Sequence, residues 1–353
     1  MHRSTFLTRL AAVCALTTAV TAQTVVSIPC AADNMIYLNA ASTSNGKGAT
    51  FLVGKTPVGV AMRALLRFDV AAAVPAGATI VAARLVIHSE VSNGPGTLDI
   101  TGHRVLQAWG EGNSVSPLGG GIGAPAQPGD ATWTFAFFNT TSWTTAGGDF
   151  AAPSFVIPSP PFGTTTSPDG PGTVADVQFW LDNPAQNFGW LLKSDESLLG
   201  PTARRYTSRD STAATKPFLQ VEYLLPGDVG TWGTGCPTTF GTFDFAWVGP
   251  MIGGTTVQRL HTDAPPNSVG ASYFSLDLFQ PGALLLPACN LYLPITVLIP
   301  SDLFLTDAAG VGTPTPWNVP TVYPGLYFTA QSVVLDGSPL GLALSNAGVA
   351  VIQ

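Results

Sequence analysis

The sequence predicts an all-β protein, organised as a jelly-roll β-sandwich followed by a smaller immunoglobulin-like β-sandwich. Charged residues make up only 10% of the chain, against about 25% in ordinary soluble domains. Glycine and proline are frequent, with 38 and 30 residues, and they separate short runs rich in Thr, Val and Phe, which favours strands and turns over helices. The run at residues 64–69 reads as a buried strand, with Leu66 and Phe68 on one face and Leu65, Arg67 and Asp69 on the other.

The first 22 residues predict export. Arg3 and Arg9 precede an apolar run from Leu10 to Val20, and small residues follow at the cleavage positions. This is the organisation of a secretory signal peptide, so we expect residues 1–22 to be removed and the mature chain to be secreted or held at the cell surface. No other segment has the roughly 18 uninterrupted apolar residues of a spanning helix, so no transmembrane segment is expected.

The charge of the chain is low and uneven. The formal net charge is −7, which disfavours a nucleic-acid partner because the phosphate backbone is also negative. Residues 226–353 contain seven aspartates, no glutamate, no lysine and the single cation Arg259. Because this shift coincides with the turn signal Pro226-Gly227, we predict one domain at 23–225 and a second at 226–353.

The first domain is predicted to contain eight strands and one helix. The strand-like runs are Met35–Asn39, Thr50–Val53, Met62–Asp69, Thr79–Glu90, Thr97–Leu106, Thr132–Phe138, Phe188–Lys193 and Pro217–Tyr223. The helical run is Val174–Leu181, whose apolar residues fall on one face. Gly119–Gly123 and Pro158–Gly172 are predicted loops. About eight strands with long loops favour a jelly roll.

The second domain is predicted to contain six strands at short intervals, which favours an immunoglobulin-like sandwich. The runs are Phe240–Val248, Thr255–Thr262, Val269–Leu278, Leu291–Leu298, Leu326–Leu335 and Leu342–Ile352. Many of these strands are apolar on both faces. We therefore expect an edge or a face to be covered by a partner or by the first domain.

A series of short motifs occurs in the first domain. They are Asp33–Ile36, Leu65–Asp69, Ala83–Leu85, Arg104 through Trp109–Gly112, Ala131–Trp133, Asp176–Trp180, Gly189–Ser194, Arg205–Arg209 and Lys216–Tyr223. Their order resembles the DNRLRE family, a secreted domain grouped with carbohydrate-binding modules. The resemblance implies a jelly roll and, for some members, binding of acidic polysaccharides such as alginate. This chain departs from the pattern in a long Gly/Pro-rich insertion between Trp133 and Asp176, which could cover or reshape a binding face.

The second domain carries a looser resemblance. Gly233–Pro237, Cys289 and Gly341–Asn346 are similar to a C-terminal module of exported proteins from planctomycete-like bacteria. This resemblance implies export and no particular role.

The candidate ligand-binding residues are five cations and one tryptophan: Arg67, Arg104, Trp109, Lys193, Arg205 and Arg209. Arginine pairs bidentately with carboxylates and tryptophan stacks on sugar faces, so the expected partner is a polysaccharide, acidic in this reading, or another cell-surface component. Arg205 and Arg209 share a face if their segment is extended. The alternative is that the cations pair internally with Asp69, Asp195, Glu196 and Asp210, and that the tryptophans are core residues.

Signals of catalysis are scarce, so we expect a protein that is not an enzyme and requires no cofactor. The zinc helix, nucleophile elbow, phosphate loop and Cys-x-x-Cys motifs do not occur. His88, His103 and His261 occur singly on strands. Asp69, Glu111 and Asp176 could supply a glycosidase carboxylate pair, although ion pairing or turn capping is favoured for them. A structural calcium ion is compatible with Asp33 or Asp176 as ligands, but there is no Asp-x-Asp-x-Asp loop and no metal ligand is assigned.

The cysteines predict one disulfide. Cys236 and Cys289 belong to the same domain and are the expected pair in an exported protein. Cys30 is left over, as a buried thiol, a link to another chain, or a partner that displaces one of the other two.

These observations together predict a secreted, non-catalytic carbohydrate-binding or surface-adhesion protein. The alternative is a structural envelope or extracellular-matrix protein with no sugar ligand. Exposed aromatic and basic side chains on one concave face would favour the first prediction. An internally paired, flat face would favour the second.

Overall fold

The computed structural model describes residues 23–353, apart from Asn93, Pro95 and residues 338–340. The predicted signal peptide, residues 1–22, lies outside the described residues. The all-β prediction is confirmed, because strands dominate on both sides of residue 225. The helices are α1 (Val70–Ala73) and α2 (Pro171–Asp182), and 3₁₀ turns occur at Leu118–Gly120, Pro184–Gln186 and Ile295–Val297.

The strands are numbered in chain order. Before residue 226 they are β1 (Thr24–Tyr37), β2 (Thr43–Ser44), β3 (Thr50–Lys55), β4 (Ala61–Phe68), β5 (Thr79–Ser92), β6 (Leu98–Val105), β7 (Ala124–Pro125), β8 (Phe135–Phe137), β9 (Thr141–Ser142), β10 (Phe150–Ser159), β11 (Gly163–Thr166), β12 (Trp190–Ser194), β13 (Arg204–Thr207) and β14 (Phe218–Leu224). After it they are β15 (Val229–Trp232), β16 (Pro237–Thr238), β17 (Gly241–Thr242), β18 (Asp244–Val248), β19 (Thr256–Thr262), β20 (Val269–Ser275), β21 (Ala283–Leu286), β22 (Cys289–Leu291), β23 (Ile299–Leu305), β24 (Thr315–Asn318), β25 (Tyr327–Leu335) and β26 (Leu342–Val351).

The first sandwich is organised around β1, which takes part in both of its layers. The first half of β1 pairs with β14, and the second half pairs with β4 after a register shift between Cys30 and Ala32. One layer continues from β4 through β12 and β6 to β10. The other joins β14 to β5, which also pairs with β11 and β13, and β13 pairs with β3. The assignment of this sandwich as a jelly roll stays a prediction.

The main core lies between the two layers. Leu66 and Phe68 of β4 point into it, as their alternation with Leu65 predicts. Trp190 of β12 lies at its centre, 4.6 Å from the ring of Trp180 in α2. Because Pro171 stands in the first turn of α2, where its missing N–H is not needed, the helix starts cleanly and brings Trp180 onto the sheet.

The outer face of the β4–β12–β6 layer is also buried. Leu65 and Leu191 project from this face and contact a cluster that includes Trp109, Trp133 and Trp143. Those tryptophans belong to the chain between β6 and β10, so residues 106–149 act as a cover over the sheet. The insertion between Trp133 and Asp176 supplies part of this cover, through Ala136 and Trp143, and the rest comes from the chain before Trp133.

The second sandwich has a five-stranded sheet in the order β15-β26-β25-β20-β23 and a three-stranded sheet in the order β18-β19-β24. Aromatic rings fill the space between them, with Trp247 of β18 lying 5.9 Å from Phe274 of β20. Cys236 and Cys289 form the predicted disulfide. Cys30 is buried in the first sandwich as a free thiol whose Sγ donates to the Ala32 carbonyl, and burial raises its pKa. The immunoglobulin-like assignment stays a prediction.

The two sandwiches contact each other through apolar side chains. Val81 and Leu224 of the first pack with Trp232 and Val349 of the second, and the Gln280 amide donates to the Val81 carbonyl at 2.5 Å. In the described chain no strand from one side of residue 225 pairs with a strand from the other. That each part folds by itself stays a prediction.

Three predicted elements differ from the structure. Pro158–Gly172 was expected to be a loop, but it contains the end of β10 and all of β11. Both strands lie at sheet edges, where the prolines of β10 cost no ladder hydrogen bond. The expected strand Leu291–Leu298 is instead the end of β22 and a 3₁₀ turn that starts after Pro294. The run Thr132–Phe138 contributes only the three-residue β8.

Candidate functional site

The structure distributes the six predicted ligand-binding residues over separate places. Arg67 lies over the Trp109 ring, with its guanidinium carbon 5.9 Å from the ring centre. Trp109 is only 4% exposed, and its indole N–H donates to the Phe188 carbonyl at 2.7 Å. This tryptophan is therefore part of the cover and does not offer a stacking platform.

Arg104 links β6 to α2. Its Nε lies 3.1 Å from Oδ1 of Asp176, and its guanidinium carbon lies 4.3 Å from the Phe179 ring. Oδ2 of the same aspartate accepts from the Trp190 indole N–H at 2.7 Å and from the Ser154 hydroxyl. Asp176, one of the two acids that the sequence makes compatible with calcium, thus has its oxygens engaged in anchoring the helix.

Lys193 lies on the covered face of the first sandwich, 3.9 Å from Glu196. The same glutamate accepts two hydrogen bonds from Arg63, at 2.7 and 2.8 Å, and Arg63 stacks on Trp133 at 4.4 Å. Burial alone would raise the pKa of the Glu196 carboxyl, but the hydrogen bonds and charge of Arg63 hold it below its usual value. Arg63 and Glu196 therefore form the main ion pair beneath the cover, and Lys193 adds a weaker, longer contact to the same glutamate.

Arg205 and Arg209 do not lie on one extended segment, because β13 ends at Thr207. Arg205 stays on the strand, with Nε 3.4 Å from Oε2 of Glu90 on β5. Arg209 follows in a turn, where its side chain lines a groove. The two residues that the sequence treats as a pair are thus separated.

The groove beside Arg209 has a volume of about 540 Å³. Its walls are the bend of β1, the segment 69–73 that includes α1, and the chain leading into β14: Ile28, Pro29, Cys30, Ala31, Asp69, Ala72, Ala73, Arg209, Lys216 and Pro217. Lys216 and Asp69 are exposed at the rim. In the described chain Lys216 forms no ion pair or hydrogen bond. The groove therefore has one cation that is paired with carboxylates of the chain, Arg209, and one that is not, Lys216.

Arg209 is held in position by Asp33, a buried residue of β1. Oδ2 of Asp33 accepts from the Arg209 backbone N–H at 2.7 Å, and Oδ1 accepts from the Ser208 hydroxyl at 3.2 Å. The Arg209 Nη1 donates to the Ala31 carbonyl and lies 3.4 Å from Glu111. These contacts fix the backbone turn and the Nη1 side of the guanidinium. Among the described residues no hydrogen-bond acceptor is in contact with Nη2.

Asp33 also belongs to a group of three carboxylates with Glu111 and Asp210, whose oxygens lie within 4.8 Å of one another. Burial raises the pKa of Asp33 to about 7, and the nearby charges of Glu111 and Asp210 act in the same direction, against the hydrogen bond from Arg209. Lys47 lies 2.6 Å from Glu111 and 3.7 Å from Asp210. Since Lys47 and Arg209 supply two positive charges, the group is largely compensated by the protein itself. Calcium stays a prediction without assigned ligands.

The histidines and the remaining acidic candidates lie in separate surroundings. His103 contacts the Ala151 carbonyl and the Thr101 hydroxyl, each at 2.9 Å. His261 stacks on Phe304 with ring centres 3.8 Å apart, and burial lowers its pKa to about 3. Asp69 lies at the groove, Glu111 in the carboxylate group and Asp176 on α2, so each has a different set of neighbours.

The sequence did not single out Lys216 or Lys47 as functional residues. Lys216 precedes Pro217 in a family-like motif, but its only signal was a positive charge at the start of a strand. Its relation to Arg209 depends on how the chain between β13 and β14 closes over β1, which no local pattern encodes.

No protein-family model matches the chain, and no curated protein matches it. The resemblances to the DNRLRE family and to a planctomycete-like module therefore rest on the motifs alone. Within the described residues, no helix is both long and apolar enough to traverse a lipid bilayer.

Proposed function

We propose that this is an exported, non-catalytic binding or adhesion protein whose groove at Arg209 and Lys216 takes a carboxylate group of an acidic polysaccharide. One observation carries the proposal. Arg209, whose backbone turn is held by Asp33, and Lys216, which forms no ion pair in the described chain, line the same concave surface of about 540 Å³. That volume lies within the range of roughly 300–1,000 Å³ typical of ligand sites.

The electrostatics make the attraction local. The chain has a net charge of −7, so its overall field repels a polyanion. The described lining of the groove presents Arg209, Lys216 and the acid Asp69, and the Arg209 guanidinium shares its charge with Glu111 at 3.4 Å and Asp210 at 3.7 Å. Binding should therefore be short-ranged and weakened by salt, since charges beyond about 8–10 Å are screened at physiological ionic strength. The planar guanidinium of Arg209 would donate from its Nη2 side to a carboxylate, and Lys216 would add a flexible second contact.

The test is retention of the mature protein on alginate and pectate affinity gels. Lys216→Ala removes an exposed side chain that forms no ion pair or hydrogen bond with the described residues, so a loss of retention in this variant reports on binding and not on folding. Arg209→Ala should lose retention as well, and its thermal unfolding shows whether the turn has survived. Arg205→Ala is the matched control, because Arg205 pairs with Glu90 away from the groove, and it should be retained like the wild type.

The structural alternative is supported by a different observation. Trp109, Trp133, Trp180 and Trp190 are all buried, and Arg104, Lys193 and Arg205 are paired with carboxylates of the same chain. A protein that serves only as envelope or matrix material would look the same. If the wild type ignores every acidic and neutral glycan on an array, or if Lys216→Ala and Arg209→Ala are retained as well as the wild type, the structural function becomes the better proposal.

A further inference from the structure

Arg204 is a buried arginine without a carboxylate partner. It precedes Arg205 on β13 and is only 2% exposed. Its Nη1 donates to the Ser92 hydroxyl and to the Gly94 carbonyl, and its Nη2 donates to the Gly96 carbonyl at 2.5 Å. All of these acceptors are neutral. Among the described residues no hydrogen-bond acceptor contacts Nε, which is buried.

The other two buried arginines of the described chain each have a carboxylate partner. Arg63 makes a two-bond ion pair with Glu196, and Arg259 pairs with Asp302 at 2.7 Å. Taking a charge out of water is costly unless an opposite charge or a full set of hydrogen bonds replaces the water. Burial lowers the pKa of Arg204, which expresses the same cost. Arg204 therefore lacks the counter-charge that both comparable residues have.

A cavity of about 260 Å³ lies beside this side chain. Its lining is mainly backbone and small polar groups from two loops: Gly94, Thr97, Leu98, Leu198, Pro201, Thr202 and Arg204. Among the described residues that line it, Arg204 carries the one charge. The cavity is thus a small, positively charged hollow at the end of the sandwich.

A second unpaired cation lies at the same end. Lys55 Nζ donates to the backbone carbonyls of Glu196 and Leu198, at 3.2 and 2.8 Å, and forms no ion pair in the described chain. The Lys55 backbone N–H donates to the hydroxyl of Thr202, which lines the cavity. The nearest glutamate, Glu196, has its carboxylate engaged by Arg63. At longer range Lys55 also interacts with the charges of Asp195 and Glu196, so Arg204 is the cation at this end whose described contacts are all neutral.

We propose that this cavity binds a small oxyanion, either a carboxylate or a sulfate group, with Arg204 as the residue that holds it and Lys55 as a supporting charge at the rim. An oxyanion would supply the missing counter-charge and an acceptor for Nε, and guanidinium recognises both groups through paired N–H donors. Binding would displace no carboxylate of the chain, because the described partners of Arg204 are all neutral.

This site is distinct from the groove at Arg209. Arg204 is the first residue of β13, Arg209 lies in the turn after that strand, and the two hollows share no described lining residue. Binding here does not depend on the polysaccharide proposal, and either one can fail alone. Lys216→Ala should leave the cavity at Arg204 unaffected.

The experiment is a titration of the mature protein, labelled at the arginine side chains, with sodium sulfate and with sodium galacturonate. Sodium chloride at equal ionic strength and neutral galactose are the controls. We expect a saturable shift of one Nε–H resonance, assigned to Arg204 by its absence in Arg204→Lys. A shift with sulfate alone points to a sulfate ester as the natural source, and a shift with galacturonate points to a uronic acid. Either result supports the oxyanion site.

Two variants make the test decisive. Thr97→Glu places a carboxylate at the exposed rim of the cavity and should weaken anion binding at least about tenfold, as an internal competitor for the same charge. Arg204→Lys should weaken it by a similar factor, because an ammonium group lacks the planar fork. Arg205→Lys, the adjacent cation on the same strand, should bind like the wild type.

The outcomes that overturn the proposal are equally definite. Wild-type protein without saturable binding of either anion refutes it, and so does equal binding by Thr97→Glu and the wild type. Loss of binding in Arg205→Lys to the same extent as in Thr97→Glu would place the anion elsewhere. If Arg204→Lys does not fold, as judged by thermal unfolding, Thr97→Glu alone decides the question, since residue 97 is exposed.

Discussion

The two sandwiches treat an outward apolar sheet face in opposite ways. In the first, Leu65 and Leu191 lie beneath a cover that brings in three tryptophans. In the second, the outer edge of the five-stranded sheet leaves Leu303 and Leu305 of β23 exposed, with 72% and 61% of their surface accessible. The apolar pattern is similar in both sequences. What differs is whether the chain between strands is long enough to return over the sheet.

The exposed face of the second sandwich continues into an apolar hollow of about 210 Å³. Its described lining is uncharged: Tyr273, Leu285, Leu291, Leu293, Leu298, Gln331, Ser332, Val333, Leu342 and Leu344. The first sandwich packs elsewhere, on Trp232 and Val349. The sequence predicts that a partner or the first domain covers an apolar edge or face. The first domain supplies such a cover at Trp232 and Val349, and a partner on the β23 side stays a prediction.

The largest loss of stability is expected when part of the cover over the first sandwich is removed. Trp133→Ala deletes a buried indole and the surface on which Arg63 stacks. We expect the free energy of unfolding to fall by about 3–5 kcal/mol, the usual cost of deleting a buried aromatic side chain. Chemical denaturation with a fluorescence readout measures it. A loss below about 1 kcal/mol would show that the cover is not part of the cooperative fold.

The second sandwich has a covalent link where the first has a cover. Cys236 and Cys289 lie 53 residues apart in sequence, so opening the bond should cost about 4 kcal/mol on the chain-entropy model. The double variant Cys236→Ser/Cys289→Ser should unfold at lower denaturant concentration in the part that carries Trp247. Cys30→Ser is the control and should leave this transition in place, since Cys30 is not bonded to another cysteine.

Acidic conditions should weaken the second sandwich through His261. Burial, helped by the charge of Arg259, lowers its pKa to about 3 from 6.5. Between these values the unfolded chain binds a proton that the native state refuses, so stability falls as the pH falls, by up to about 1.4 kcal/mol per pH unit. The difference in stability between wild type and His261→Gln, measured from pH 7 to 4, should shrink on acidification. A constant difference would contradict the buried neutral ring.

The first sandwich should respond to pH in the opposite direction through Asp33. Burial raises its pKa from 3.8 to about 7, so between these values the native state holds a proton that the unfolded chain has released. Its contribution to stability is therefore present at low pH and lost as the pH rises through 7. Relative to Asp33→Asn, the wild type should lose stability from pH 4 to 7. Parallel pH profiles for wild type and Asp33→Asn would contradict the raised pKa of the buried carboxyl.

The smallest effect is expected on the exposed face. Leu303→Ala removes a side chain that is 72% accessible, so the free energy of unfolding should change by less than about 0.5 kcal/mol. The same substitution at Leu191, fully buried under the cover, should cost about 2–5 kcal/mol. Equal losses at the two positions would remove the contrast between the faces.

The fold class and most of the local elements could be predicted from the sequence. Leu66 and Phe68 alternate with Leu65 as a strand requires, and the Cys236–Cys289 pair followed from their shared domain. The edge strands β10 and β11 were not predicted, because proline and glycine normally indicate loops, and only an edge position makes them acceptable in a strand. The cover was expected from an insertion, but its early start at Trp109 was not.

The candidate sites were harder to predict for a physical reason. Arg204 and Arg205 are adjacent and look alike in sequence, yet one pairs with Glu90 and the other has only neutral acceptors. The difference depends on which residues of β5 and of the loop after it stand opposite each side chain. Such long-range register is not encoded in any short pattern. The same holds for Lys216, which joins Arg209 only when the chain closes over β1.

The position of β1 has a consequence for how the protein is made. Val25 pairs with Glu222, so the first strand of the sandwich is completed by its last strand, almost 200 residues later. Half of β1 must wait for β14 while the other half can already pair with β4. Closure over so long a loop is slow compared with local contacts. During synthesis, then, the ladder side of residues 24–29 stays open until nearly the whole first sandwich has been made, and until that point the unpaired strand is exposed to aggregation.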